Sequence, residues 1–141
     1  MARSRLLRVM RGEVVMGDEI LYPDESYALV GAAIEVRKEL GLGLLEPIYQ
    51  EAYAIVLEEK GIPFVREAPL SISFRGRTLT KKYFADFLCY GKIVLEFKAA
   101  EKILPVHEAQ LLNYLKCTGY RLGLLFNFGP ENFSYVRLAN G

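Results

Sequence analysis

Tyr83-Phe84-Ala85-Asp86-Phe87-Leu88-Cys89-Tyr90-Gly91-Lys92-Ile93-Val94-Leu95-Glu96-Phe97-Lys98 places two strand-forming arms on either side of a single glycine. Both arms are rich in aromatic and β-branched residues, and the only turn-forming residue, Gly91, lies between them. The stretch therefore predicts two strands folded back at Tyr90-Gly91-Lys92. With the hairpin symmetric about Gly91, Asp86 lies opposite Glu96 and Phe84 opposite Lys98. Alternation then puts Asp86, Glu96 and Lys98 on one face, and Ala85, Phe87 and Cys89 against Ile93, Leu95 and Phe97 on the other. One face packs, and the other presents two carboxylates and an ammonium. Carboxylates held side by side repel, which raises a pKa or requires a cation, and one lysine offsets only part of that charge. A divalent metal would complete the balance; a cross-strand salt bridge among the three is the plainer alternative.

Outward from this hairpin, strand signals run upstream from residues 64–67 through Pro69 into residues 70–74, with a turn at Arg75-Gly76-Arg77. A first helix is predicted over residues 23–40, with Asp24 as N-cap candidate, Leu29, Ala32, Ala33, Val36 and Leu40 as its apolar stripe, and Gly41 as its stop. A second is predicted over residues 44–60, with Leu45, Ile48, Ala52, Ile55 and Val56 facing the core. Its Glu46, Tyr49, Gln50 and Tyr53 share a neighbouring polar and aromatic face at the edge of a cleft. Downstream, Pro105 opens a helix to residue 118, with Val106, Ala109, Leu111, Leu112 and Leu115 apolar and Gly119 as its stop. A buried strand follows over residues 121–128, then an edge strand over residues 133–138. Residues 12–22 show little periodicity beyond a short extended piece at 13–16. The order predicts an α/β protein with a mixed sheet and helices on both sides. The acidic face should look into a cleft walled by the second helix.

A chain of 141 residues, 52% hydrophobic and 25% charged, supports one globular domain with a real core. A net charge of +1 excludes a global electrostatic footprint for nucleic acid, so such a partner must meet a local patch. Arg66, Arg75, Arg77, Lys81 and Lys82 are the best candidates; the same charges could instead keep hairpin edges from pairing with other molecules. Residues 1–20 form a basic N-terminal segment, and its first eleven residues, which contain no acid, are expected as a frayed or partly helical tail able to touch phosphates. Cys89 and Cys117 have no metal-ligand spacing and are expected as reduced core thiols of a cytoplasmic protein. No apolar run approaches the roughly 20 residues of a membrane helix, so no membrane partner is expected.

Asp86, nine intervening residues, then Glu96-Phe97-Lys98 resembles the signature of the PD-(D/E)xK nuclease superfamily, with Ala85 standing where the superfamily name has proline. Gly43-Leu44-Leu45-Glu46-Pro47-Ile48-Tyr49 resembles the motif of the GxxExxY family within it, and Asn127-Phe128-Gly129 closes the matching region. The resemblance implies a restriction-endonuclease-like αβββαβ core. It also implies Mg²⁺ or Mn²⁺ held by Asp86 and Glu96 with Glu46 as a further acid, and Lys98 orienting or helping to deprotonate the attacking water. Glu35 and Glu51, on the same two-helix unit, are alternatives to Glu46. Gln110 and Tyr114 resemble the QxxxY element of recombination-type nucleases in the superfamily; Tyr49 and His107 are supporting candidates. The implied activity is phosphodiester hydrolysis in DNA by a homodimer. The alternative is a catalytically silent nucleic-acid-binding or interaction module on the same fold.

Overall fold

The computed structural model describes the backbone of residues 8–10 and 13–16, and residues 21–129 and 131–141 in full. In chain order the elements are β1 (Arg8–Met10), β2 (Glu13–Met16), α1 (Pro23–Leu40), α2 (Glu46–Glu59), β3 (Phe64–Phe74), β4 (Arg77–Cys89), β5 (Ile93–Lys98), α3 (Pro105–Thr118), β6 (Leu122–Asn127) and β7 (Ser134–Ala139). Their strands form one seven-stranded sheet in the order β2-β1-β7-β6-β5-β4-β3. The β5–β6 pair is parallel, because α3 carries the chain back across the sheet between them. The other strand pairs are antiparallel. The sheet is thus mixed and the expected αβββαβ order is present. Strand β7 is not the edge strand expected from sequence. It lies between β6 and β1, and β1 comes from the N-terminal segment expected as a tail; the other residues of that segment up to 20, apart from β2, lie outside the described ones.

Two apolar layers sandwich the sheet. Helices α1 and α2 cover one side, where Leu29, Ala33, Tyr49, Tyr53 and Leu57 pack on Phe87, Leu95, Phe97 and Phe126. Helix α3 covers the other through Leu111 and Leu115 on Val94, Leu125 and Val136. Gly123 sets how closely α3 approaches: a Cβ there would lie 3.1 Å from the Leu111 side chain. The predicted stripe of α1 is buried as far as Val36.

Helix α2 is rotated from its predicted orientation. Tyr49 and Tyr53 are 0% exposed, whereas Leu45 is 72% exposed and Ile48 and Ile55 also face outward. The tyrosine rings provide the larger apolar area, and each hydroxyl is satisfied by a backbone carbonyl: Tyr49 donates to Gly41 at 2.7 Å and Tyr53 to Leu29 at 2.9 Å. Cys117 is likewise exposed, where a core thiol was expected, while Cys89 is buried.

Candidate active site

The β4–β5 hairpin forms as the sequence dictates. Tyr90 and Gly91 both take positive φ, and the Lys92 N–H returns to the Cys89 carbonyl at 3.1 Å. Pairing runs Cys89↔Ile93, Leu88↔Val94, Phe87↔Leu95. The same register carried one step further sets Asp86 opposite Glu96, but there the backbones part and side chains take over. Asp86 Oδ2 accepts the Phe97 N–H at 2.7 Å, and Glu96 Oε2 accepts the Asp86 N–H at 3.4 Å. On the other side of β4 the strand is also disturbed: Glu67 of β3 takes φ 48°, and the ladder skips from Arg66↔Phe87 to Ala68↔Ala85. Across this kink β4 changes face. Phe87 packs in the α1/α2 layer, whereas Ala85, expected on the same face, packs with Tyr83 in the α3 layer.

Asp86, Glu96 and Lys98 line a cleft of about 130 Å³ together with Glu46, His107, Gln110 and Tyr114. The wall is α3, not α2 as expected: α2 contributes Glu46, from its first turn. Glu46 reaches the cleft because the preceding loop is tied down. The Tyr49 hydroxyl bridges the Gly41 carbonyl and the Leu44 N–H, and its ring stacks on Phe128 with centroids 4.9 Å apart. Tyr49 therefore supports the site from the core without lining it. Of the alternative acids, Glu35 pairs with Lys60 at 2.8 Å, and Glu51 is exposed and does not line the cleft. His107 Nδ1 accepts the Leu104 N–H at 3.1 Å, which leaves Nε2 as the ring nitrogen free of that bond. Tyr114 stacks on Tyr83, centroids 3.8 Å apart.

The electrostatics follow from burial. Desolvation pushes the Glu96 carboxyl up from 4.5 to about 7; Asp86 N–H and Lys98 pull it down, and the charge of Glu46 adds to the rise. Asp86 is raised chiefly by burial, with the Phe97 N–H and Lys98 opposing. Glu46 is raised by burial first, then by Asp86. Lys98 thus stabilises the anionic form of all three acids. No three His, Cys, Asp or Glu side chains among the described residues converge as a closed protein cage for a metal. The pair Asp86 and Glu96 is instead a set of hard oxygen donors in an open cleft, the kind Mg²⁺ takes while keeping several waters and a substrate phosphate.

Sequence reasoning assigned no role to Asn127, whose signal is a carboxamide inside an apolar strand. It is fully buried, accepts the Ala100 and Gly129 N–H groups at 3.0 and 3.1 Å, and donates to the Ala100 carbonyl at 3.0 Å. These bonds fix the chain just beyond Lys98, and a Cβ on Gly129 would lie 2.4 Å from the Ala100 backbone. Asn127→Ala should cost about 2–4 kcal/mol, because it removes three hydrogen bonds to part-buried backbone groups. Urea unfolding reads this directly; a loss below about 1 kcal/mol would mean that water replaces the carboxamide.

A model of the PD-(D/E)XK nuclease superfamily matches residues 23–138. No curated protein matches the chain. Among solved structures, the one titled "Crystal structure of SSO0001" is similar, with a TM-score of 0.52 and 23% identity. The match covers 84% of this chain and 59% of that one, and the likeness is one of fold alone.

Proposed function

Because the chain belongs to the PD-(D/E)XK nuclease superfamily and has its restriction-endonuclease-like fold, we propose that it is a divalent-metal-dependent nuclease of the GxxExxY group. Its reaction on this reading is phosphodiester hydrolysis in DNA. The observation that carries it is the break in the β4–β5 ladder, where the Asp86 and Glu96 carboxylates each accept a backbone N–H of the facing strand in a cleft that also holds Lys98.

Asp86 and Glu96 would hold Mg²⁺ or Mn²⁺, with Glu46 as an outer acid. The ion, when bound, supplies Lewis-acid stabilisation of negative charge at the phosphate and the leaving oxygen. Lys98, as an ammonium, orients the attacking water, eases the loss of its proton to solvent, and offsets charge that builds on the phosphate. Gln110 and His107, from one side of α3, offer N–H donors to non-bridging phosphate oxygens. Tyr114, braced by Tyr83, holds the far wall. A homodimer in the cytoplasm completes the reading. Sedimentation measures the first of these, and no described helix is long and apolar enough to cross a membrane.

The test is incubation of the purified protein with single-stranded, duplex and branched DNA in Mg²⁺, Mn²⁺ or EDTA. Cleavage is expected with either metal, none with EDTA, and none with Asp86→Asn in any buffer. The alternative is a catalytically silent nucleic-acid-binding module on the same fold. Binding with no metal-dependent cutting would decide for it.

A further inference from the structure

Beside the catalytic cleft, on the outer side of α3, runs a second depression of about 340 Å³. Ile72 of β3 forms one wall, and Val106, Ala109 and Cys117 of α3 form the other, with Asn113 between them. Gln110 and Tyr114 line both this groove and the cleft, so the two adjoin across those side chains. Their chemistry differs sharply. The cleft is lined by three carboxylates and a lysine, while no charged side chain lines the groove. Val106 is 64% exposed there, an apolar residue that faces solvent.

We propose that this groove is a subsite for an unpaired nucleobase next to the scissile phosphate, so that the substrate is single-stranded nucleic acid. The inference rests on the nuclease reading and names its substrate class. Three observations carry it. An uncharged groove adjoining an acidic, lysine-bearing cleft suits one nucleotide, with the planar base in the first and the phosphate in the second. Gln110 and Asn113 stand three residues apart on one helix, and each offers a carboxamide donor and acceptor of the kind that pairs with base edges. The wall opposite α3 belongs to the β3–β4 hairpin, whose residues 70–82 carry Arg75, Arg77, Lys81 and Lys82 and no acid. All four cations are exposed, and they complement a phosphate backbone approaching the groove. In a duplex the base edges are paired and the faces stacked, so a base enters such a groove only after it is flipped or when the strand is already single.

The experiment measures binding by fluorescence anisotropy in EDTA, which separates it from cleavage. The ligands are a 12-mer single strand in DNA and RNA forms, its blunt duplex, and a fully abasic 12-mer of equal charge. The base-bearing single strands should bind at least about tenfold more tightly than the abasic strand or the duplex, the scale of one stacked base. Ala109→Phe, which fills the groove from an exposed helix position, and Asn113→Leu should each remove that advantage while leaving abasic binding unchanged. Circular dichroism and thermal midpoints verify that both variants fold. Equal affinity for base-bearing and abasic strands, or a loss that falls equally on both, overturns the subsite. DNA binding with RNA excluded, or the reverse, supports it and identifies the sugar. If the base-dependent binding appears but no metal supports cutting, the nuclease reading has failed and the subsite stands.

Discussion

Lys98→Ala should lower metal-dependent DNA cleavage by about 10³-fold at saturating metal, within the range found when one charge-stabilising or proton-transferring group is removed. Lys98 is the one lysine or arginine among the residues that line the cleft, and it favours the ionised form of Glu46, Asp86 and Glu96 alike. Removing it has two opposed effects on metal affinity. The acids hold their protons more tightly, which weakens binding, while the dication no longer faces an ammonium, which strengthens it. The loss therefore falls on the rate, not on the metal concentration needed for half-maximal cleavage. Lys98→Arg separates charge from the placement of the water. A guanidinium keeps the positive charge but presents a planar fork in place of a compact ammonium, so the arginine variant should bind metal and DNA normally and remain at least about tenfold slow because the water is misplaced. Single-turnover cleavage across a Mn²⁺ titration gives both quantities. An alanine variant within tenfold of the parent rate would remove Lys98 from the chemistry.

The hairpin at the centre of this site was legible because its register depends on local facts: two β-rich arms and one glycine. Asp86 opposite Glu96 follows from those alone, and the helices α1 and α3 follow from their stops and stripes. The kink at Asp86 was not legible. It comes from Glu67 in a different strand taking a left-handed backbone conformation, and no local pattern in the hairpin announces that. Hence Ala85 was read onto the Phe87 face, although it packs on the other side of the sheet. The rotation of α2 had a different cause. Periodicity counts a tyrosine as half polar, and it cannot register that two hydroxyls are satisfied by the carbonyls of Gly41 and Leu29, which frees both rings to form the core. That error moved the expected cleft to α2, whereas the GxxExxY spacing still identified Glu46 as the residue that reaches it. Strand β7 was misread as an edge because its neighbour β1 is three residues long, too short to show alternation.

Glu96→Gln should abolish cleavage and, at pH 8, make the metal-free protein more stable. The sign follows from the carboxyl's two environments. Its pKa is about 7 in the folded protein, against 4.5 ordinarily, so the folded state binds the proton more tightly than the unfolded chain. Below pH 4.5 the group is protonated in both states and its full contribution is present. As pH rises from 4.5 to 7 the unfolded chain releases the proton first, and stability is lost until the folded form ionises as well. The difference is on the order of 3 kcal/mol at pH 8, shared with Asp86 and Glu46, which shift the same way and titrate with it. Glutamine is the uncharged shape of the protonated acid, and its Oε1 can still accept the Asp86 N–H. Thermal unfolding in EDTA should therefore give curves for parent and variant that coincide near pH 4.5 and diverge by about 2–3 kcal/mol at pH 8. Mg²⁺ takes the place of the proton: it should restore the parent's stability at pH 8, where the carboxylate is free to bind it, and leave the variant unmoved. On the nuclease reading, two shielded carboxylates that weaken the metal-free fold at pH 8 become favourable once a dication binds them. A parent protein whose stability is flat from pH 4.5 to 8 and indifferent to Mg²⁺ would show that Glu96 is solvated and that the cleft holds no metal.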